Sequence, residues 1–91
     1  MVITWSPRAA REFRAIVTYL SARSRSGASR VTSRILKRID DLLLIPEQGA
    51  PIGRGARRLE VTRTPYLIFY RIMNDEIVLI GIVHGKRRRR T

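Results

Sequence analysis

Two adjoining β-rich runs in the last third of the chain constrain the fold most strongly. Residues 66–73 alternate between two faces, and residues 77–83 are apolar at nearly every position. Asn74 and Asp75 separate the runs and have the chemistry of a tight turn, so we predict a β-hairpin. The second run suits a central strand that is covered on both sides. A block of five consecutive cations, residues 86–90, follows the hairpin.

The alternation divides the first run into a core face and an open face. One face carries Tyr66, Ile68, Tyr70 and Ile72, and the other carries Leu67, Phe69, Arg71 and Met73. We predict that the two tyrosines are buried up to their polar tips. We also predict that Leu67 and Phe69 are exposed, since apolar side chains on an open sheet face indicate a partner surface.

Two amphipathic helices are predicted before these strands. Ser6 and Pro7 suit the N-cap and the first position of a helix that runs over Arg8–Arg23. A second helix is expected over Ser26–Leu44, with Ser26 as its N-cap. Pro46 ends this helix. The apolar stripes comprise Ala9, Phe13, Ile16, Val17 and Leu20 in the first helix, and Ala28, Val31, Ile35, Ile39, Leu42 and Leu43 in the second.

The order of elements predicts an α+β fold. A short N-terminal strand at residues 2–5 precedes the α-hairpin, residues 46–55 are expected to be a loop, and residues 57–61 alternate as a further strand. The last three strands then form an antiparallel meander, and the two helices cover one face of a single, mainly antiparallel sheet. We expect one domain over residues 1–91, with a basic tail at 86–91.

Composition limits the possible functions. The chain has 91 residues, a formal net charge of +12, one histidine and no cysteine. A lone histidine without cysteine does not make a zinc site, and no disulfide framework is possible. We see neither a bilayer-spanning apolar run nor a signal peptide, and we therefore expect a soluble, cytosolic protein without a membrane partner. The charge predicts an acidic or polyanionic partner.

Short motifs along nearly the whole chain resemble one known family. They are Trp5-Ser6-Pro7 with Ala9-Ala10, the helix end Leu43…Pro46…Gly49, Arg58-Leu59, residues 65–72 (PYLIFYRI) and residues 82–87 (IVHGKR). In this order they resemble the RelE/ParE toxin superfamily of bacterial type II toxin–antitoxin systems. The resemblance implies a cytoplasmic toxin that needs no cofactor and no metal. It also implies neutralisation by a cognate acidic antitoxin, which is ParD-like or RelB-like.

The resemblance implies two different activities. RelE-like members cut messenger RNA in the ribosomal A site, whereas ParE-like members poison DNA gyrase. The RNase branch places an arginine where Leu67 stands, and it often ends in a tyrosine, whereas no tyrosine follows Tyr70 here. The pairs Tyr70-Arg71 and His84-Gly85 are closer to the ParE pattern, although many ParE-like chains carry arginine in place of Gly81. We predict a ParE-like gyrase inhibitor, with a RelE-type ribosome-dependent endoribonuclease and an inactive basic binding module as alternatives.

The candidate site residues follow from this resemblance and from the charge pattern. For an RNase, the catalytic set is Arg71, His84 and Arg87. For target binding, the set is Arg58, Arg71, Lys86, Arg87 and Arg88. For antitoxin binding, the set is Leu67, Phe69, Arg11 and Arg14.

Plainer structural roles compete with these functions. His84 at a strand end is typical of a structural hydrogen-bonding residue, and Glu60 can pair across strands with a neighbour such as Arg71. Residues 87–90 are also typical of a flexible, solvated tail.

Overall fold

The computed structural model describes the backbone of residues 1–88 and the side chains of residues 1–86. The elements are β1 (Val2–Trp5), α1 (Pro7–Arg23), α2 (Arg25–Leu44), β2 (Ala50–Gly53), β3 (Ala56–Glu60), β4 (Tyr66–Met73), β5 (Glu76–His84) and α3 (Gly85–Arg88). The predicted α+β class and the order of the main elements are confirmed.

The five strands form one mixed sheet in the order β1-β5-β4-β3-β2. β1 runs parallel to β5, and every other neighbouring pair is antiparallel. Asn74 and Asp75 both have positive φ angles, 52° and 60°, which is the geometry of a two-residue hairpin turn that matches strand twist. The predicted hairpin is therefore confirmed. β5 lies between β1 and β4, and α1 packs over it.

β2 lies in the segment that was predicted to be a loop, and this prediction was wrong. Ala50 and Pro51 pair with β3 across a turn in which Gly53, Arg54 and Gly55 have φ angles of 96°, 56° and 76°. Glycine occupies two of these three left-handed positions, where it has no steric penalty. The prolines and glycines that indicated a loop therefore build an irregular edge strand and its turn.

A bulge in β5 explains why this strand is apolar at nearly every position. Gly81 pairs with Phe69 but Leu79 pairs with Tyr70, so β5 holds one extra residue at this point. The extra residue reverses the alternation of faces along the strand. Leu79 before the bulge and Ile82 after it both belong to the core cluster. Cover on both sides is therefore not needed to explain this sequence.

The core lies between the helices and the sheet. It contains Ile35, Ile39 and Leu42 from α2, with Leu59 from β3 and both predicted core tyrosines. Tyr70 is the largest of the fully buried side chains, and its Oη donates to the Pro46 carbonyl at 2.7 Å and accepts from the Gly49 N–H at 2.9 Å. The prediction of buried tyrosines with satisfied polar tips is confirmed for this residue, and Tyr66 is 6% exposed.

Three local expectations about helices need correction. The cap of α2 is Ser24 and not Ser26, because Ser24 is extended and its Oγ accepts from the Gly27 N–H at 3.0 Å. Leu43 is 47% exposed and lies outside the core stripe, because it stands about 100° around the helix from buried Leu42. A third helix, one turn long, was not expected, and it places residues 85–88 in a helical turn where a flexible tail was predicted from residue 87.

Candidate functional site

A groove of about 790 Å³ lies on the sheet face opposite to the helices. We call it the open-face groove. Its lining residues are Ile52, Arg58, Glu60, Pro65, Leu67, Phe69, Gly85 and Lys86. Alternation along the strands produces this lining, since the neighbours Ile68 and Tyr70 point into the core under the helices.

Strand register sets the floor of the open-face groove. Arg58 of β3 lies opposite Phe69 of β4, and Glu60 lies opposite Leu67. These cross-strand neighbours share the open face, so each apolar side chain of the floor has a charged side chain beside it. The floor is therefore amphipathic rather than purely cationic.

The start of α3 forms one wall of the groove. The Gly85 N–H donates to the Pro65 carbonyl at 2.7 Å, which holds the end of β5 beside the start of β4. A Cβ atom at Gly85 would lie 3.1 Å from that carbonyl oxygen, so the close approach favours glycine. This contact places Lys86 at the rim of the groove.

The charges of the groove are two cations and one carboxylate. Within residues 1–86, Arg58 and Lys86 make no ion pair. The predicted pairing of Glu60 with Arg71 is wrong, because Arg71 lies opposite Ala56 and its Nη1 donates to the Arg54 carbonyl at 2.6 Å. Arg58 and Lys86 are therefore available to an external anion or acidic surface.

The structure brings some of the sequence-predicted residues together and separates others. Arg58, Lys86, Leu67 and Phe69 all line the open-face groove. Arg71 is on the same face but outside this lining. Phe69 is only 8% exposed, so the expectation of an exposed phenylalanine was wrong, whereas Leu67 is partly exposed.

The remaining predicted residues lie away from the groove or outside what the structure describes. Arg11 and Arg14 are exposed on α1, in the layer that covers the opposite face of the sheet. The backbones of Arg87 and Arg88 lie in α3, and their side chains lie outside the described residues.

His84 has a structural role at the junction of β5 and α3. Its Nδ1 accepts from the Lys86 N–H at 3.2 Å, which caps the helical turn. Its ring meets the ring of buried Tyr66 edge to face, with centroids 5.5 Å apart. His84 therefore faces the core side of the sheet and Arg71 the open side, so the structure does not bring these two members of the RNase set together.

Sequence reasoning missed an exposed apolar surface at the end of α2. We call it the α2 apolar patch; its members are Leu36, Leu43, Leu44 and Ile45, which are 41%, 47%, 82% and 60% exposed. The available signal was the spacing, because Leu36, Leu43 and Leu44 stand at i, i+7 and i+8 and share one helix face, although Leu43 had been assigned to the core stripe. An exposed apolar cluster of this kind indicates a protein-binding surface.

Two further features bear on the classes of function. Within the described side chains, no three His, Asp or Glu residues are grouped so that they could hold a metal ion. None of the described helices combines the length and the apolar character that crossing a membrane requires.

Comparisons with known proteins match this architecture along nearly its full length. A family model described as the ParE toxin of the type II toxin–antitoxin system parDE matches residues 3–89. Putative toxin Y4kP of Sinorhizobium fredii is 33% identical over 88 residues, which cover 94% of this chain and 90% of the relative. Toxin RelE1 of Caulobacter vibrioides is 27% identical over 86 residues, which cover 92% of each.

A solved structure shares the fold described above. The chromosomal ParDE toxin–antitoxin system from P. aeruginosa contains a chain that superposes with a TM-score of 0.79 at 25% identity. The match covers 92% of this chain and 95% of that one. The family model matches residues 3–89, and the sheet order and the α-hairpin agree with the fold of this solved structure. The chain belongs to the ParE toxin family of type II toxin–antitoxin systems.

Proposed function

We propose that this toxin inhibits DNA gyrase in the cytoplasm and that a cognate acidic antitoxin neutralises it. Gyrase poisoning is the activity that the ParE resemblance implies. One observation supports it most directly. Leu67 lies in the floor of the open-face groove, at the position where the RNase branch carries an arginine.

Metal-independent cleavage of RNA requires chemical groups that this groove supplies only in part. The reaction needs a base for the 2′-hydroxyl, a cation for the scissile phosphate and an acid for the leaving oxygen. Leu67 supplies no charge, and His84 faces the other side of the sheet with its Nδ1 occupied by the Lys86 N–H. Loss of one contact that stabilises a transition-state charge costs about two to three orders of magnitude in rate.

Arginines and a lysine on the open face are our proposed contacts with gyrase. Arg58 and Lys86 line the groove, and Arg71 lies on the same face farther along β4. Arg87 and Arg88 continue the chain from Lys86 and complete the proposed set. Cations around an amphipathic floor suit an acidic protein surface, because such charges raise the association rate and fix orientation.

The antitoxin is proposed to contact both layers of the fold. Leu67 and Phe69 lie on the open face, whereas Arg11 and Arg14 lie on the outer surface of α1, so a partner that touches both sets has to wrap around the toxin. The α2 apolar patch adds a surface that such a segment would bury. The similar chain from P. aeruginosa belongs to a ParDE toxin–antitoxin system, which supports an antitoxin partner, ParD-like or RelB-like, for this chain as well.

A RelE-type ribosome-dependent endoribonuclease is the second candidate. The observation in its favour is the similarity to a relative named Toxin RelE1. Under this alternative Arg71, His84 and Arg87 would be the catalytic set. An inactive binding module would give neither activity.

Two assays on the purified toxin separate these candidates. We expect the toxin to inhibit supercoiling of relaxed plasmid by gyrase and to accumulate cleaved DNA, and to leave messenger RNA intact on programmed ribosomes. Arg58→Gln with Lys86→Gln should raise the toxin concentration needed for gyrase inhibition by about tenfold or more, since each lost charge contact weakens binding by about 1 kcal/mol.

A matched variant controls for the loss of net charge. Arg25→Gln with Arg30→Gln also removes two exposed cations, both from α2 and outside the open-face groove. We expect it to inhibit gyrase like the parent toxin. Codon-phased cuts in messenger RNA that disappear in His84→Ala, with gyrase unaffected, would refute the proposal in favour of the RNase.

A further inference from the structure

A second groove, of about 420 Å³, lies between α2 and the turn that follows β3. We call it the α2–turn groove. The helix contributes Arg34, Lys37 and Arg38 to its lining, and the turn contributes Val61, Thr62 and Arg63. None of the residues that line it belongs to the open-face groove or to the α2 apolar patch, so it is a separate surface.

Most of the surface that lines the α2–turn groove is apolar, although four of its residues are cations. Val61 supplies little of this surface, because it is only 2% exposed. Long basic side chains lay their aliphatic stems along a surface while their charged ends stay in water. The stems of the arginines and of Lys37 therefore form a hydrocarbon floor, to which Thr62 adds its methyl group.

Hydrogen bonds hold the two walls of the groove together. Arg38 connects α2 to the end of β3, since its Nε donates to the Glu60 carbonyl at 2.9 Å and its Nη1 donates to the Gln48 Oε1 at 2.7 Å. In the turn, the Thr64 N–H and hydroxyl both donate to the Val61 carbonyl, at 3.1 Å and 2.9 Å. Both walls are therefore in place before a ligand binds, which lowers the entropic cost of binding.

The charges around the hydrocarbon floor are positive and only partly paired. Among the described residues, Arg34 and Arg63 make no ion pair. The first belongs to α2 and the second to the turn, so each wall carries one of them. Lys37 shares the carboxylate of Asp41 with Arg38, at 3.5 Å from each nitrogen. A ligand would therefore meet apolar surface between two positively charged walls.

We propose that the α2–turn groove binds an acidic peptide segment of a partner protein, with one apolar side chain of that segment on the hydrocarbon floor. Carboxylates on either side of this anchor would face the cations of both walls. Peptides commonly gain affinity in a groove through such apolar anchors, whereas a nucleic-acid backbone would leave the floor without a contact. The acidic antitoxin proposed above would supply the segment, so the identity of the partner rests on that proposed function.

Two labelled peptides test whether the groove holds an apolar anchor. Both are short and rich in glutamate, and they differ at one central position, which is leucine or serine. We expect the parent toxin to bind the leucine peptide about tenfold more tightly, because burial of the leucine side chain stabilises the complex. Equal affinities would mean that net charge alone binds peptides, and the proposal would fail.

Two charge-matched variants test whether the aliphatic stems form the binding floor. Arg34→Met with Lys37→Met removes two charges and keeps two long apolar stems, whereas Arg34→Ala with Lys37→Ala removes the stems as well. Methionine and alanine both favour a helix, so the variants should fold alike. We expect the leucine preference to stay near tenfold in the methionine variant and to fall to about threefold or less in the alanine variant. The same preference in both variants would refute the proposal.

Arg25→Ala with Arg30→Ala is the control, since it removes two exposed cations from α2 outside the groove. We expect it to keep the full leucine preference, and a loss as large as in the alanine variant of the groove would overturn the proposal. A DNA oligonucleotide of equal charge is the last probe. The proposal would also fail if the parent bound this DNA more tightly than the leucine peptide and the alanine variant bound it less tightly than the methionine variant.

The purified cognate antitoxin separates this inference from the proposed function. We expect the antitoxin to bind the alanine variant of the groove about threefold more weakly than the methionine variant. Failure to bind the parent toxin would refute the proposed neutralisation, and the peptide comparison would then decide on the groove by itself. Tight binding to the parent, with equal affinities for the two variants, would refute the assignment of the groove to the antitoxin.

Discussion

Glu12 of α1 accepts a hydrogen bond from β5 directly beside Gly81. β1 ends with Trp5 opposite Leu79, and the Ile82 N–H beyond that point donates to the Glu12 Oε1 at 2.9 Å. A Cβ atom at position 81 would lie 2.8 Å from the same oxygen. The arginine that many ParE-like chains carry there would displace the carboxylate, so Gly81 is explained by its neighbour on α1.

Gly81→Ala should therefore destabilise the protein by about 1–3 kcal/mol, because the carboxylate has to move away from the Ile82 N–H. Glu12→Ala should cost a similar amount by leaving that N–H without its acceptor. Urea unfolding of both single variants and the double variant measures the coupling. We expect the added cost of Gly81→Ala to be close to zero in the Glu12→Ala background. Simple additivity would contradict this explanation.

At the scale of elements, one serine ends α1 and begins α2. The Ser24 N–H donates to the Leu20 carbonyl at 3.0 Å, and its Oγ accepts from the Gly27 N–H at 3.0 Å. A single residue between two helices leaves no room for a longer linker, so the crossing of the helices depends on this residue. Ser26 was the candidate from sequence, but it lies inside the first turn of α2.

Ser24→Ala should lower the free energy of unfolding by about 1 kcal/mol, because the α2 N-terminus loses its capping oxygen. Ser26→Ala is the matched control, and it should change stability by less than half of that amount, since alanine favours a helix interior. Chemical denaturation of the two variants decides between them. A larger loss in Ser26→Ala would restore the sequence-based assignment of the cap.

The sequence predicted the features that depend on local periodicity. It missed those that depend on strand pairing or on contacts between residues that are distant in sequence. The apolar stripes located both helices, and alternation located β3 and β4 to within one residue. β2 was missed because its pairing with β3 depends on a turn of positive φ angles. The bulge near Gly81 was missed because Glu12, which accepts from the Ile82 N–H beside it, is distant in sequence.

The candidate site was predictable only in part, for a similar reason. Alternation predicted that Leu67 lies on the open face of the sheet, where the structure has it. The separation of His84 from Arg71 depends on the bulge in β5, which no local pattern indicates. The burial of Phe69 likewise depends on neighbours that are distant in sequence.

At the scale of the whole molecule, cations outnumber carboxylates by 19 to 7. Among the described residues, Glu12 and Asp41 account for all the ion pairs with side-chain carboxylates. The positive charge is therefore spread over both layers and remains largely uncompensated by intramolecular pairing. A partner that wraps the toxin would meet cations along its whole path.

Association with an acidic antitoxin should therefore be sensitive to salt. Raising the salt concentration from 0.05 M to 0.5 M should lower the association rate by about tenfold or more and change the dissociation rate much less, because rim charges act mainly on encounter. Stopped-flow or surface binding with the purified cognate antitoxin measures both rates. A dissociation rate that changes more than the association rate would contradict this expectation.

The outer edge of β2 bears on how long the toxin persists without its partner. β2 forms one end of the sheet, all four of its residues are exposed, and its pairing is irregular between Pro51 and Gly53. Proline and irregular pairing make an edge a poor template for another strand, which limits aggregation. Pro51→Val should increase light scattering of the concentrated toxin over time, and unchanged scattering would contradict this role. Resistance to self-association would keep the toxin monomeric at times when it is free of a partner.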